Sequence, residues 1–417
     1  MPLLFLRFSL LDFPNRVSAM TRDEALLAGV GLGLTALAFG LSTGLCALVR
    51  VLAPRLGFLD RPGGHKGHKA PTPLGGGVAI WLTTVSIPLL GMLAVEIGRS
   101  WLPPEIARYA AGVRAQSGEL LLILGLATLI MLMGLVDDRR ALGWKPRLGI
   151  QIGLAVILAA SGVRVTLFGP FANPAFGGAV TVLWVVGLTN AFNFLDNMDG
   201  LAAGVGLIAA LLFTGAQVAA GSLFVPAVLL GLVGALAGFL VHNRHPARLF
   251  MGDAGSNFLG FLLGATTVAG TYYRYGPGQS KLGVLAPLLV MAVPLYDSTS
   301  VILIRLREGR SPFQGDRRHF SHRLVERGLT PPQAVRTINL VTLAGGLGAL
   351  LLHRLDPAGA VVVAAQTVCL LGVVAILEVS ATRPERERGP VHGEATPTDP
   401  QPDSAGTRPG GETAARR

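Results

Sequence analysis

Residues 120–136 read LLLILGLATLIMLMGLV, and two aspartates, Asp137 and Asp138, follow without a spacer. A helix needs about 20 apolar residues to cross a hydrocarbon core of about 30 Å, and this run has close to that length. Blocks almost free of charge recur at 24–49, 201–220 and 337–352. Across the 417 residues, 51% are hydrophobic and 14% charged, whereas soluble domains carry about 25% charged residues. Mean hydropathy is +0.55. These values argue against a soluble enzyme, a disordered chain and a fibrous one. The expected fold class is an all-α polytopic integral membrane protein.

Eleven spans are expected, near 24–49, 75–95, 119–136, 148–162, 178–194, 201–220, 224–241, 255–270, 284–303, 333–352 and 358–378. Residues 1–23 read as an N-terminal extension, too short to span and without a small-residue cleavage site, and Met20 offers a second start. Residues 24–380 form the transmembrane domain. Residues 381–417 turn abruptly rich in Pro, Gly and charge and read as a disordered cytoplasmic tail. With the N-terminus outside, the inner loops hold 18 Lys and Arg and the outer loops 7. The positive-inside rule therefore expects N-out and C-in, a multi-pass protein of the inner (plasma) membrane. The same rule accounts for the net charge of +11 without nucleic acid. Cys46 and Cys369 both lie in apolar runs, so neither a disulfide framework nor a cysteine metal site is indicated.

Carboxylates at membrane depth are costly and usually functional. Asp137 and Asp138 end one span, Asp196 and Asp199 sit in TNAFNFLDNMDGLAAG with Asn190, Asn193 and Asn197, and Asp253 lies in RLFMGDAGSNFLG. Helix capping is the plain alternative for Asp199 and Asp253. Hard oxygen ligands without cysteine suggest Mg²⁺, with Mn²⁺ as the alternative, held by few carboxylates plus substrate phosphates. Two basic loops supply the anion side. One carries His65, Lys66, His68 and Lys69, the other Arg317, Arg318, His319, His322 and Arg323. If helical, the second loop would align Asp316 with His319 and with His322 or Arg323. The Gly75–Gly77 run either lets backbone approach a ligand or permits tight helix packing. Carboxylates, a divalent ion and basic loops imply phosphate chemistry on an anionic substrate, and the membrane implies a lipid as the other. Together these features point to a membrane phosphotransferase.

The ordered set HKAPTPLGGG, GLVDDRR, NAFNFLDNMDGLAAG, NRHPARLFMGDAGSNFLG, PLYDS and SPFQGDRRHFSHRL resembles the polyprenyl-phosphate N-acetylhexosamine-1-phosphate transferases (glycosyltransferase family 4) over roughly residues 24–380. The resemblance implies transfer of a sugar 1-phosphate, N-acetylglucosamine 1-phosphate first among them, from a UDP-sugar to undecaprenyl phosphate, with release of UMP and a requirement for Mg²⁺. It implies catalysis or lipid-phosphate handling for Asp137 and Asp138, and metal ligation for Asp253 with Asp196. Asn193, Asp196 and Asp199 match the nucleotide-site motif, Phe250 the aromatic that stacks on uracil, and Asn243 a polar residue near the metal. His319 and His322 match the histidines of the last large cytoplasmic loop. Lys66, His68, Asn190 and Arg317 complete the expected substrate contacts, and a homodimer is left open.

Some positions depart from the family pattern. The usual Asp-Gly-x-Asp-Gly is Asp196-Asn197-Met198-Asp199-Gly200, and the usual His-x-His-His is His319-Phe320-Ser321-His322. The triple histidine of the muramoyl-pentapeptide branch is absent, as is its Lys after the aspartate pair, so that reaction is the second reading. A transporter or lipid flippase is a third, from another class. It would place its charges at mid-membrane between inverted repeats, and no repeat is evident. The expected mechanism is a single displacement, with Asp137 or Asp138 accepting a proton from the lipid phosphate or orienting it.

Overall fold

The eleven apolar runs all fall on helical segments, 284–303 on two of them, in the computed structural model, which describes residues 22–60, 71–98, 107, 109–166, 173–270, 272, 280–312 and 318–380. The helices are α1 Arg22–Arg55, α2 Gly76–Ile97, α3 Ala110–Arg139, α4 Trp144–Ala160, α5 Pro174–Leu195, α6 Leu201–Ala219, α7 Phe224–Asn243 and α8 Gly252–Ala269. After them come α9 Ala286–Val290, α10 Ala292–Arg307, α11 Phe320–Glu326, α12 Pro331–Leu347 and α13 Pro357–Ser380. Seven of these (α1, α2, α3, α5, α6, α7 and α13) are long and apolar enough to cross a membrane. An eighth span results if the 3₁₀ turn Lys281–Leu285 with α9 is counted together with α10 across their 57° bend. α4 and α12 are shorter, at 17 residues each, and α8 is less apolar. The chain is thus an all-α, multi-pass membrane protein.

Its outer helices leave large apolar side chains uncovered, among them Leu32, Leu183 and Val361, each more than two-thirds exposed. In a bilayer such side chains face lipid. The interior is organised around α8, which is buried from Ala254 to Thr267 and packs on α2, α3 and α5. Close approach of α2 is possible because both sides are glycine: a Cβ on Gly77 would sit 2.2 Å from the Gly255 nitrogen. The Gly75–Gly77 run therefore serves backbone packing rather than open ligand access.

A two-residue antiparallel pair, β1 Leu59–Asp60 with β2 Thr72–Pro73, leads into α2. The next residue, Leu74, bridges to Phe250. The Phe250 N–H donates to Pro73 O, while the Gly76 and Gly77 N–H groups donate to Phe250 O and Met251 O, all at 2.9 Å. The segment entering α8 is thereby stitched to the segment entering α2. Residues 1–21 of the N-terminal extension, the tail, Lys66, His68, Asp316 and Arg317 lie outside the described residues, and Arg22 and Asp23 open α1.

Candidate active site

Asp137 and Asp138 leave the last turn of α3 in different directions. The Asp137 side chain is buried, with Oδ1 accepting the Leu142 N–H at 2.5 Å and Oδ2 accepting Arg147 Nη1 at 2.9 Å. Asp138 reaches across to α8, where its two oxygens accept the N–H groups of Asp253 at 2.7 Å and Ala254 at 3.1 Å. Helix capping is thus present at α8, but a carboxylate of another helix provides it. Gly252 makes room for it. Its φ of +73° suits glycine, and a Cβ there would stand 2.6 Å from Asp138 Oδ2.

Freed from capping its own helix, the Asp253 side chain turns to α5. Its Oδ1 accepts Asn193 Nδ2 at 2.6 Å, and Asn193 also reaches Ser256 Oγ at 3.1 Å. Arg147 Nη1 stands 3.8 Å from Asp253 Oδ2, so one guanidinium faces both Asp137 and Asp253. Behind this pair runs a chain of amides. Asn190 donates to Gln151 Oε1 at 2.7 Å, Gln151 to Asn257 Oδ1 at 3.0 Å, and Asn257 to the Asp253 carbonyl at 2.8 Å. Gln151 and Asn257 are fully buried, so their satisfied amides fix α4, α5 and α8 in one register.

Asp196 differs from the others. It follows α5 as its C-cap, and among the described residues nothing donates a hydrogen bond to its carboxylate. Burial, then the neighbouring Asp253, Asp138 and Asp199 carboxylates, push its pKa up to about 8. An anion cluster short of compensating charge suits a cation. Among the described residues no three His, Cys, Asp or Glu side chains could hold a metal ion by themselves. The donor set fits an ion of the Mg²⁺ type, which takes one or two carboxylates and fills its shell with phosphate and water.

Asp199 does not cap α6. Its Oδ2 lies 2.8 Å from His245 Nδ1 and accepts the Ala247 N–H at 3.0 Å. Asn243 is buried with both amide ends on backbone, Oδ1 accepting Gly200 N–H and Nδ2 donating to Leu249 O, each at 2.9 Å. These two residues hold together the turns that carry Asp196 and Phe250. Of the basic loops, the structure describes Arg318, His319, His322 and Arg323, with Arg318 paired to Glu308 at 2.7 Å and Arg323 to Glu378 at 3.0 Å. The helix expected around them begins only at Phe320, with His319 as its N-cap in extended backbone. His319 Nδ1 lies 3.1 Å from Asp297 Oδ2, and the His319 and His322 ring centroids are 6.5 Å apart. Ser321 and Asn197, two positions that depart from the family pattern, touch each other: Ser321 Oγ donates to Asn197 Oδ1 at 2.5 Å. The histidine segment is thereby tied to the turn bearing Asp196.

A family model described as glycosyl transferase family 4 matches residues 120–271, which include Asp137, Asp138, Asn193, Asp196, Asp199 and Asp253. The chain is 34% identical over 366 residues to a decaprenyl-phosphate N-acetylglucosaminephosphotransferase of Mycolicibacterium smegmatis, covering 82% of this chain and 85% of that one. The chain belongs to glycosyltransferase family 4. A second relative in this family, the enzyme of the same name from Mycobacterium tuberculosis, is 33% identical over 367 residues, with 82% and 85% covered. The undecaprenyl-phosphate alpha-N-acetylglucosaminyl 1-phosphate transferase of Escherichia coli K12 is 27% identical over 315 residues, with 72% and 76% covered.

Four further residues of this glycosyltransferase family 4 site, Arg147, Gln151, Asn257 and Asp297, are not among the candidates the sequence points to. Asp297 lay within the quoted PLYDS motif, and Gln151 and Asn257 are polar residues inside apolar runs, a signal that points to function or buried bonding.

Proposed function

We propose that the chain transfers N-acetylglucosamine 1-phosphate from its UDP-sugar to a polyprenyl phosphate, undecaprenyl or decaprenyl, and releases UMP. This would be a first membrane step of cell-wall or surface polysaccharide synthesis. The observation that carries the reading is the gathering of Asp196, Asp253, Arg147 and the histidine segment at one end of the bundle, joined to the likeness to transferases of that name. Polar groups collected at one end also speak against a transporter, whose coupling charges belong near mid-membrane.

Asp253 and Asp196 would hold Mg²⁺, which when bound neutralises charge on the breaking phosphoanhydride. Arg147 provides a fixed positive charge beside the same phosphates. An oxygen of the lipid phosphate bonds to the β-phosphorus of the UDP-sugar, the bond from that phosphorus to the bridging oxygen breaks, and UMP leaves with the electron pair. Phosphoryl transfer needs positioning and charge neutralisation more than a protein nucleophile, so a single displacement suffices. Asp138, spent on the start of α8, acts by placing Asp253. Asp137 holds Arg147 and is the carboxylate assigned to accept a proton from the lipid phosphate or to orient it. His319 and His322 meet the phosphates of the sugar nucleotide.

The orientation that suits this chemistry is N-out and C-in, with eleven spans in the plasma membrane and the site on the cytoplasmic side. A cysteine at Ser311 should resist membrane-impermeant thiol reagents in intact cells while one at Ser222 reacts, in a background without Cys46 and Cys369. The reverse pattern would invert the orientation. Release of UMP from a panel of UDP-sugars, with polyprenyl phosphate and Mg²⁺ supplied, tests the reaction. UMP formed from UDP-N-acetylglucosamine only when lipid is present is the expected result. Release without lipid, or none from any UDP-N-acetylhexosamine, would defeat the reading.

A further inference from the structure

Asp297, Val301 and Arg305 are spaced four apart on α10 and are all buried, so one face of this helix carries two charges inward. A carboxylate 1% exposed is costly unless its lone pairs are filled. Here they are filled by one short segment. Oδ1 accepts the Phe320 N–H at 2.6 Å, and Oδ2 faces His319 Nδ1 at 3.1 Å. An ionised carboxylate only accepts hydrogen bonds, so the shared proton is on Nδ1, and Nε2 is the ring nitrogen left for a ligand.

A second set of contacts fixes the ring's plane. The Arg305 guanidinium lies 5.4 Å from the centroid of Phe194, and Phe194 meets the His319 ring edge-on at 5.7 Å. Phe194 is two residues before Asp196, so the histidine is aimed from the same turn that carries the free carboxylate.

We propose that Asp297 is a positioning residue for His319. It holds Nδ1–H, directs Nε2 towards a phosphate oxygen of the donor nucleotide, and is the counter-charge when that nitrogen donates from an imidazolium. The inference rests on the transferase reading for the identity of the anion, but not for the hydrogen bond itself. Replacing the carboxylate by an amide removes the counter-charge and offers an N–H towards Nδ1. The ring must then accept there, which opposes the imidazolium.

The full chain, labelled with ¹⁵N-histidine in lipid nanodiscs, tests this directly. Its eight histidines permit assignment of the His319 resonances by their loss in His319→Gln. The expected spectrum shows a protonated, hydrogen-bonded Nδ1 in the wild type and loss of that signature in Asp297→Asn. UMP release should fall on the order of 100-fold or more in Asp297→Asn, chiefly in kcat, and recover in part in Asp297→Glu, which keeps the charge. An unprotonated Nδ1 in the wild type would overturn the proposal, as would an Asp297→Asn enzyme with wild-type turnover. Should the wild type release no UMP at all, the transferase reading fails, and the resonance alone decides the Asp297–His319 pairing.

Discussion

Asn193 donates its side-chain amide to Asp253 Oδ1 at 2.6 Å, joining the last turn of α5 to the first turn of α8. The bond leaves Asp253 Oδ2 as the oxygen turned to Arg147 and open to a cation. Asp253→Asn keeps an acceptor for Asn193 but removes the anion. Turnover at ordinary Mg²⁺ should fall by orders of magnitude while the protein inserts and melts normally. Near-normal UMP release at saturating UDP-sugar would remove Asp253 from the metal site.

Asp138 and Asp196 should separate in a stability assay although both are expected to abolish activity. Asp138→Ala leaves the Asp253 and Ala254 N–H groups without their acceptor, a loss of about 1–3 kcal/mol. Asp196→Asn replaces a carboxyl that its neighbours disfavour as an anion by a neutral amide of the same shape, so the metal-free protein should melt no lower than the wild type. Equal destabilisation by the two substitutions would contradict these separate roles.

The metal-free protein should lose stability as pH rises. Asp196 titrates near 8 when folded, against an ordinary value of 3.8. Between those values the folded state holds a proton that the unfolded chain has released, so raising the pH favours unfolding. The penalty is absent below the lower value and complete above the higher one. Melting temperature in chelator should decline from about pH 5 to about pH 8, and Mg²⁺ or Asp196→Asn should flatten the slope. A melting temperature that climbs over that interval would refute the assignment.

Gly77→Ala places a methyl 2.2 Å from backbone of α8, where no side chain can swing aside. Overpacking of this kind costs about 1–3 kcal/mol or more. The substitution should lower both melting temperature and activity, and Gly91→Ala, with open space around its position, should do neither.

The fold class was legible because lipid imposes a simple rule on composition, and the expected runs are helical, although 284–303 is split into two helices by a bend. Most site residues were legible for a related reason: a carboxylate such as Asp196 or Asp253 is conspicuous in an apolar sequence. Partnership was less visible. Nothing in GLVDDRR says that Asp137 turns to Arg147 while Asp138 crosses to another helix 115 residues away in sequence. Asp297 escaped notice because its partner, His319, is 22 residues downstream across a loop. The hydrogen bond between Ser321 and Asn197 joins two positions that looked like separate departures from a pattern.

α8 is not apolar enough to count as a span of its own, since it begins with Gly252-Asp253 and carries Asn257, yet it is the helix around which the others close. Chain order resolves the conflict. The partners α2, α3 and α5 all precede it, so each has left the ribosome before α8 emerges. Packed against them, α8 finds partners for its polar groups in Asp138, Asn193 and Gln151, which bare lipid would not supply. The residues that make the site chemically capable are, in this sense, also the ones that make the order of synthesis matter. A chain circularly permuted to start at α8 would present that helix to bare lipid first, and should insert poorly although it contains the same residues.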